Sequence, residues 1–396
     1  MYSSSLIKKG LPSFALTLFS LNILLAQSHK QLHERSTLID THNDFPSTSI
    51  EKKLPLDADL KGKTHSDLKR FKEGGVDIQV FSIYCDGETP APYAWANREM
   101  DSVYAWAKRN PSKMMMVFNS RDLENALTQK KLGAMMGVEG GHMIENNLSK
   151  LDSLYRRGAR YMTLTWNNST DWATSALDET SPNGKRPKGL SAFGKKVVGR
   201  MNQLGMLVDL SHVGEKTFWD VMAITTKPVI ASHSNAYALC GHRRNLKDDQ
   251  IKAIGKNGGV IHLNFNAPFV DPAFEKRSKA FFEKYRTEID QLEKKGTTNK
   301  EARLKVAARH ASEMDKVRPT LEQLLDHLDY IVRLIGVDHV GMGSDFDGIE
   351  FAPYPLNGVE NFPLITEGMK KRNYSDEDIN KILGGNFIRV LKANEK

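Results

Sequence analysis

Apolar and polar positions along this chain fall into blocks whose spacing defines its elements. Short apolar runs recur at Thr37–Asp40, Val76–Tyr84, Gly133–Val138, Arg160–Thr165, Met206–Leu210, Pro228–Ser232, Gly259–Leu263 and Val340–Ser344. Runs of this kind predict strands buried on both faces, as a parallel sheet requires. Segments of helical pattern separate most of them: Ser66–Glu73, Tyr93–Lys108, Leu148–Arg157, Phe193–Leu204, Glu215–Ala223 and Asp248–Gly255. A closing helix is predicted over Ser375–Leu391, with Ser375 as N-cap and Asp376, Glu377 and Asp378 in its first turn. Alternating strand and helix implies an α/β fold. Eight such units predict a closed (β/α)8 TIM-type barrel. No glycine-rich phosphate loop of Rossmann or P-loop spacing is present.

The rhythm breaks once. Residues 271–320 are densely charged, with Phe281, Phe282, Tyr285, Ile289 and Leu292 at roughly helical spacing. This predicts a helical insertion after the seventh strand, whose charges form a solvated face and which either caps the barrel mouth or mediates association. At the other end, Lys8 and Lys9 precede an apolar stretch from Leu11 to Leu25 that ends at Ala26. That is the pattern of a secretory signal peptide over residues 1–26, the alternative being an uncleaved anchor. The expectation is a protein exported to the periplasm or secreted, with residues 27–396 forming a single barrel domain.

Composition narrows the chemistry a little. The net charge of +8 is mild and its basic residues are mixed with acidic ones. A nucleic-acid surface would need basic clusters interleaved with aromatics, so none is expected. Two cysteines, Cys85 and Cys240, are too few for a disulfide scaffold. Both are read as small buried residues, and sequence alone does not say whether they pair.

The polar residues that follow the apolar runs carry the chemistry. His42 and Asp44 follow the first run, Glu139 the third, His212 the fifth, His233 the sixth, and Asp345 falls at the end of the eighth. Catalytic residues at C-terminal strand ends are the habit of a barrel enzyme. Alternate residues of an extended chain face one way, so His42 and Asp44 can reach one ion together. One divalent ion needs three or four N/O ligands and an open position for water. Three histidines and two carboxylates exceed that and suit two ions sharing a carboxylate, an arrangement able to hold a hydroxide nucleophile and polarise a carbonyl.

Five segments in order make a specific resemblance: Leu38–Asp44 (LIDTHND), Gly137–His142 (GVEGGH), Val208–Val213 (VDLSHV), Ser232–Tyr237 (SHSNAY) and Gly343–Gly348 (GSDFDG). Together they resemble the membrane (renal-type) dipeptidase family of amidohydrolase-like metal barrels, from about Thr37 to Leu391. The resemblance implies an exported zinc dipeptidase. His42 and Asp44 would bind one zinc, His212 and His233 the other, and Glu139 would bridge them. Asp345 would pass a proton from the attacking water to the leaving amine. Arg244 would clamp the free C-terminal carboxylate of a dipeptide, the fork of its guanidinium matching that group. A homodimer is the family's habit.

One departure bears on the substrate. Where relatives carry a histidine that supports the developing oxyanion, this chain reads Leu164-Thr165-Trp166-Asn167-Asn168. Trp166, Asn167 or Asn168 supplies that donor, or a metal does so unaided, or the substrate differs. Two other readings therefore stay open: a barrel hydrolysing another small amide or lactone, and a metal-containing dipeptide-binding protein without turnover. Tyr237 is a further pocket candidate, and Trp166 to Trp172 reads as a substrate-facing loop. Asp347 reads as an orienting carboxylate, and His142 and His262 as supporting or core residues. Arg243 reads as a surface or packing residue, and His29, His33 and His65 as surface residues.

Overall fold

The computed structural model describes residues 29–181 and 189–396. The leader expected over residues 1–26 lies outside them. Eight parallel strands close a ring: β1 (Leu38–Asn43), β2 (Val76–Tyr84), β3 (Leu132–Glu139), β4 (Ala159–Thr163), β5 (Leu207–Asp209), β6 (Ile230–Ala231), β7 (Val260–Leu263) and β8 (Val340–Met342). Each pairs with the next, and Asp40 of β1 pairs with Met342 of β8 to complete the circle. The (β/α)8 barrel expected from the sequence is the fold.

Residue alternation sorts the core into two layers. Ile39, Ile78, Val80, Met135, Tyr161, Leu207, Ile230 and Val260 share one cluster with Phe387, Val390 and Leu391 of the last helix. Their neighbours Leu38, Phe81, Ala134, Met162, Val208 and Ile261 belong to the larger cluster that the surrounding helices cover. Each of the larger aliphatic side chains so buried contributes about 1.5–3 kcal/mol.

Several elements were not expected. A three-residue strand, Met114–Met116, pairs with Leu132–Ala134 at the start of β3, while β4 pairs further along at Met136–Glu139. Helices Phe45–Lys52 and Ser120–Gln129 follow β1 and that short strand. Leu321–Ile335 forms the long helix before β8, opened by a capping box between Thr320 and Gln323. The closing helix starts at the Ser375 cap, as expected, but widens into a π turn at Lys381–Gly385. There the chain presses on β1: a Cβ on Gly384 would lie 2.5 Å from the Thr37 carbonyl.

Residues 271–320 fold as four helices, Phe274–Lys284, Arg286–Glu293, Asn299–Arg309 and Ala311–Val317. They bury Phe274, Phe281, Phe282, Ile289, Val306 and Met314 in a cluster of their own. The third helix brings Thr298, Lys300, Glu301 and Leu304 to the cavity at the barrel mouth.

Two histidines differ from expectation. His33 is buried, its ring held between Thr366 Oγ1 (2.7 Å) and the Gly74 carbonyl (2.9 Å). His65 is half-buried and stacks on Phe346. Cys85 and Cys240 are both buried and unpaired. Among the described residues no helix is long and apolar enough to cross a membrane.

Candidate metal centre

The C-terminal ends of the strands bring the five expected ligands together. His42 is the penultimate residue of β1 and Glu139 the last of β3, while His212 and His233 lie just beyond β5 and β6. All five ligands are buried. The Glu139 carboxylate is divided between them. Its Oε1 lies 2.9 Å from His212 Nε2 and 3.4 Å from His233 Nε2, and its Oε2 lies 3.4 Å from His42 Nε2. Asp44 Oδ2 stands 3.6 Å from the same His42 nitrogen.

Each imidazole is fixed from behind. His42 Nδ1 donates to Tyr161 Oη at 2.8 Å, and that hydroxyl donates in turn to the Thr41 carbonyl. His212 Nδ1 faces Asn167 Oδ1 at 3.3 Å, and His233 Nδ1 lies 2.8 Å from Ser232 Oγ. With Nδ1 as the donor, each Nε2 presents a lone pair toward Glu139, the tautomer a metal ligand needs. Room for this is built into the sequence: a Cβ on Gly137 would lie 2.0 Å from the Tyr161 ring.

Two buried aspartates, passed over in the sequence as parts of strands, organise the strand ends. Asp209 accepts from Ser232 N (2.8 Å) and Ser211 N (3.1 Å) on Oδ1, and from Ser232 Oγ (2.6 Å) on Oδ2. Asp40 repeats the pattern across the ring, accepting from Ser344 N (2.8 Å) and Ser344 Oγ (2.6 Å). Each clasp holds the serine just before a candidate site residue, His233 in one case and Asp345 in the other. The signal was present as Asp-Thr-His and Asp-Leu-Ser-His, an acid two or three residues ahead of each ligand.

The electrostatics suit a cation. Burial disfavours a charged His42, but Glu139 and Asp44 outweigh it and raise its pKa to about 10. Burial and then Arg244 push His212 down to about 3, and burial and then His42 hold His233 well below its usual value. Burial, with Glu139 adding to it, raises the carboxyl of Asp345. His42 Nε2 and Asp44 Oδ1 are buried without a hydrogen-bond partner. Such atoms are costly unless something satisfies them. Three convergent imidazole nitrogens, a divided carboxylate and two orphaned ligand atoms fit one or two divalent ions.

Asp345 stands at the edge of this group, within 4.8 Å of His42 and Asp44 atoms, and Asn264 Nδ2 donates to its Oδ2 at 2.9 Å. A Cβ on Gly348 would lie 2.1 Å from Asp44 Oδ2, so the chain can pass between the two acids only as glycine. Asp345 and His212 both adopt left-handed backbone, with φ of 63° and 66°. Non-glycine residues held there cost about 1–3 kcal/mol each, strain that tends to collect at functional sites.

The cavity above has a volume of about 580 Å³ and is lined by Asp44, Glu139, Trp166, Asn167, Arg244 and Asp345 among others. Arg244 is buried, donates through Nη2 to the His233 carbonyl at 3.2 Å, and keeps an unpartnered Nε. Its loop is braced by His327, whose Nδ1 accepts from Ala236 N and whose Nε2 donates to the Val270 carbonyl. Trp166 packs edge-on to Tyr84 (5.0 Å between centroids). Asn168 turns away, its Cγ 2.3 Å from where a Cβ on Gly87 would be. Trp172 is in the core against Phe193, so the segment from Trp166 faces the cavity only at its start. Tyr237 is exposed and lines a neighbouring cavity instead. Asp347 orients a turn by accepting from His65 N at 2.7 Å. His262 is a core residue, and half-buried His142 bonds the Cys85 carbonyl.

Known proteins resemble the chain over nearly its whole length. The model of the family described as membrane dipeptidase, peptidase family M19, matches residues 26–396. An uncharacterised dipeptidase of Schizosaccharomyces pombe is 32% identical over 391 residues, covering 94% of this chain and 84% of that one. The solved structure of dipeptidase AC, a metallo peptidase of family M19, is 25% identical with a TM-score of 0.73, covering 91% and 98% of the two chains. A metallo peptidase from Rhodobacter sphaeroides, solved with a phosphinate mimic of the dipeptide L-Ala-D-Ala, shares the fold at 23% identity and a TM-score of 0.73, covering 91% and 99%.

Proposed function

This chain belongs to the membrane dipeptidase family and is a metallo-dipeptidase, and on that premise we propose a binuclear zinc enzyme that hydrolyses dipeptides with a free C-terminus. The division of the Glu139 carboxylate carries the reading: one oxygen faces His212 and His233, the other faces His42 beside Asp44. His42 and Asp44 would hold one ion, His212 and His233 the second, with Glu139 between them. Zinc there would lower the pKa of a water and polarise the scissile carbonyl.

The rest is the work of side chains. Arg244, buried and short of partners, takes the substrate's α-carboxylate and sets the peptide bond over the centre. Asp345, oriented by Asn264, accepts the proton of the attacking water and delivers it to the departing amine. Trp166 and Asn167 wall the cavity beside the carbonyl. Of the two, Asn167 has its oxygen committed to His212, which leaves its amide N–H groups as donors for the developing oxyanion. The leader, with Lys8 and Lys9 before an apolar run, supports export to the periplasm or beyond.

Zinc-loaded protein should cleave L,L or L,D dipeptides but not their C-terminal amides, and Asp345→Asn should abolish turnover while retaining metal. Cleavage of amides as fast as acids would remove Arg244 from its role. Absence of cleavage with metal fully bound would overturn the dipeptidase reading for this chain.

A further inference from the structure

Tyr84 ends β2 at the mouth of the barrel and has no part in the mechanism above. Side chains alternate between the two faces of a strand. Ile78 and Val80 belong to the cluster that holds Tyr161, the residue behind His42, and Ser82 donates to Glu139 Oε2 at 3.2 Å. Phe81 and Ile83 face the other way, into the helix-covered cluster. Tyr84 continues the inward set. Its register partner on β3 is Glu139, and paired residues of adjacent strands project to the same face. The half-buried phenol therefore lines the cavity over the metal centre, beside the divided carboxylate.

Tyr84 is held at three points, none of which uses its hydroxyl. Its N–H donates to Glu99 Oε2 at 2.6 Å, and its carbonyl accepts from Trp95 Nε1 at 3.0 Å. Both partners sit on the helix Pro92–Arg109, where the same indole N–H also reaches Glu99 Oε1 at 3.1 Å. Trp166 fixes the ring, lying edge-on at 5.0 Å from Tyr84 and 6.4 Å from the His212 imidazole. The hydroxyl makes no hydrogen bond to any described residue. A rigid side chain thus presents an uncommitted donor to the cavity, on the wall where Trp166 and Asn167 also stand.

We propose that Tyr84 is a catalytic residue whose phenol O–H donates to the oxyanion formed when water adds to the scissile carbonyl. The assignment rests on the dipeptidase reading above and adds a second donor to the Asn167 amide. A phenol is a neutral donor near pH 7. It keeps its proton throughout, and Asp345 remains the group that moves one. A peptide carbonyl is a weaker acceptor than the tetrahedral oxyanion, so the bond strengthens as charge develops and acts on kcat rather than on KM.

Tyr84→Phe and Trp166→Phe each keep an aromatic ring and remove one donor, the O–H or the indole N–H. The zinc-loaded proteins are compared with wild type by kinetics on the faster of L-Ala-L-Ala and L-Ala-D-Ala, by zinc content, and by the calorimetric Kd of the matching phosphinate, whose tetrahedral centre imitates the intermediate. Tyr84→Phe should retain zinc, lose about 10²-fold in kcat with KM within about threefold, and bind the phosphinate more weakly by the factor lost in kcat/KM. Trp166→Phe, which loosens the brace, should cost about fivefold in kcat, well short of a lost oxyanion donor. Undiminished kcat in Tyr84→Phe, a loss confined to KM, an unchanged phosphinate Kd, or a fall matched by lost zinc overturns the assignment. A larger fall in Trp166→Phe than in Tyr84→Phe overturns it in favour of the indole. In each of these cases wild-type turnover keeps the dipeptidase reading. Wild type that cleaves neither dipeptide with metal bound overturns both.

Discussion

Asparagine at position 209 separates a clasp from a relay. Asp209 is fully buried and takes four hydrogen bonds, two from backbone N–H groups and two from the hydroxyls of Ser232 and Thr163. An asparagine of the same shape has one acceptor oxygen and a donor NH2 in place of the other. If the oxygen keeps the backbone pair, both hydroxyl protons lose their acceptor. Hydrogen bonds to a charged group contribute about 1.5–3 kcal/mol each, and losing two is partly offset by no longer burying the charge. The net loss of stability should be roughly 2–4 kcal/mol, measured by urea unfolding of the metal-stripped protein. The second effect passes through Ser232, whose oxygen receives the Nδ1–H of His233. Disturbing a group behind a ligand typically weakens metal binding about 10–100-fold. Chelator competition should show that loss in Asp209→Asn, and at least as large a one in Ser232→Ala, which removes the relay hydroxyl itself but leaves the backbone clasp intact and so costs less stability. Unchanged affinity in Asp209→Asn alongside reduced stability would refute the relay. Unchanged stability would refute the clasp.

Three other outcomes are expected. Gly137→Ala, which sets a methyl 2.0 Å from the Tyr161 ring, should lower stability by about 1–3 kcal/mol in urea and weaken metal binding through His42. Arg244→Lys should raise KM for dipeptides at least tenfold, roughly 1.4 kcal/mol, because an ammonium cannot fork onto a carboxylate. His327 has a pKa lowered by burial, so its neutral form is favoured in the folded state. Its contribution is present above the unfolded value of 6.5 and is lost as pH falls through the lowered folded value. Urea midpoints followed from pH 7 to 5 should therefore drop more steeply in wild type than in His327→Gln.

Much of this was legible in the chain. Buried parallel strands leave unbroken apolar runs, so all eight barrel strands were found, most of them within two residues of their limits. β1 is the exception: Thr37–Asp40 was expected, and the strand runs three residues further, to Asn43. The ligands were legible because each directly follows such a run. Phe45–Lys52 was missed because its sequence, FPSTSIEK, is rich in poor helix formers and its helix leans on Pro46 at the first turn. Leu321–Ile335 carried a readable signal in its capping box and in the spacing of Leu324, Leu325, Leu328 and Ile331. What no pattern could give was pairing across the ring. Tyr161 behind His42, Ser344 on Asp40 and Asn167 behind His212 are contacts between residues 45 to 304 positions apart. His33 went wrong for the same reason, since the groups that bury it, Gly74 and Thr366, are remote.

The clasp between Asp40 and Ser344 also says when the centre can exist. It joins the first strand to the last, across 304 positions of chain. Bringing such distant ends together costs on the order of 5 kcal/mol in loop entropy beyond a fixed initiation term. Asp345 and the β1 ligands therefore stay apart in any nascent or half-folded chain, whatever its secondary structure. High-affinity metal uptake becomes a reporter of circularisation: in a refolding experiment it should lag the rise of helix signal and coincide with the final cooperative step.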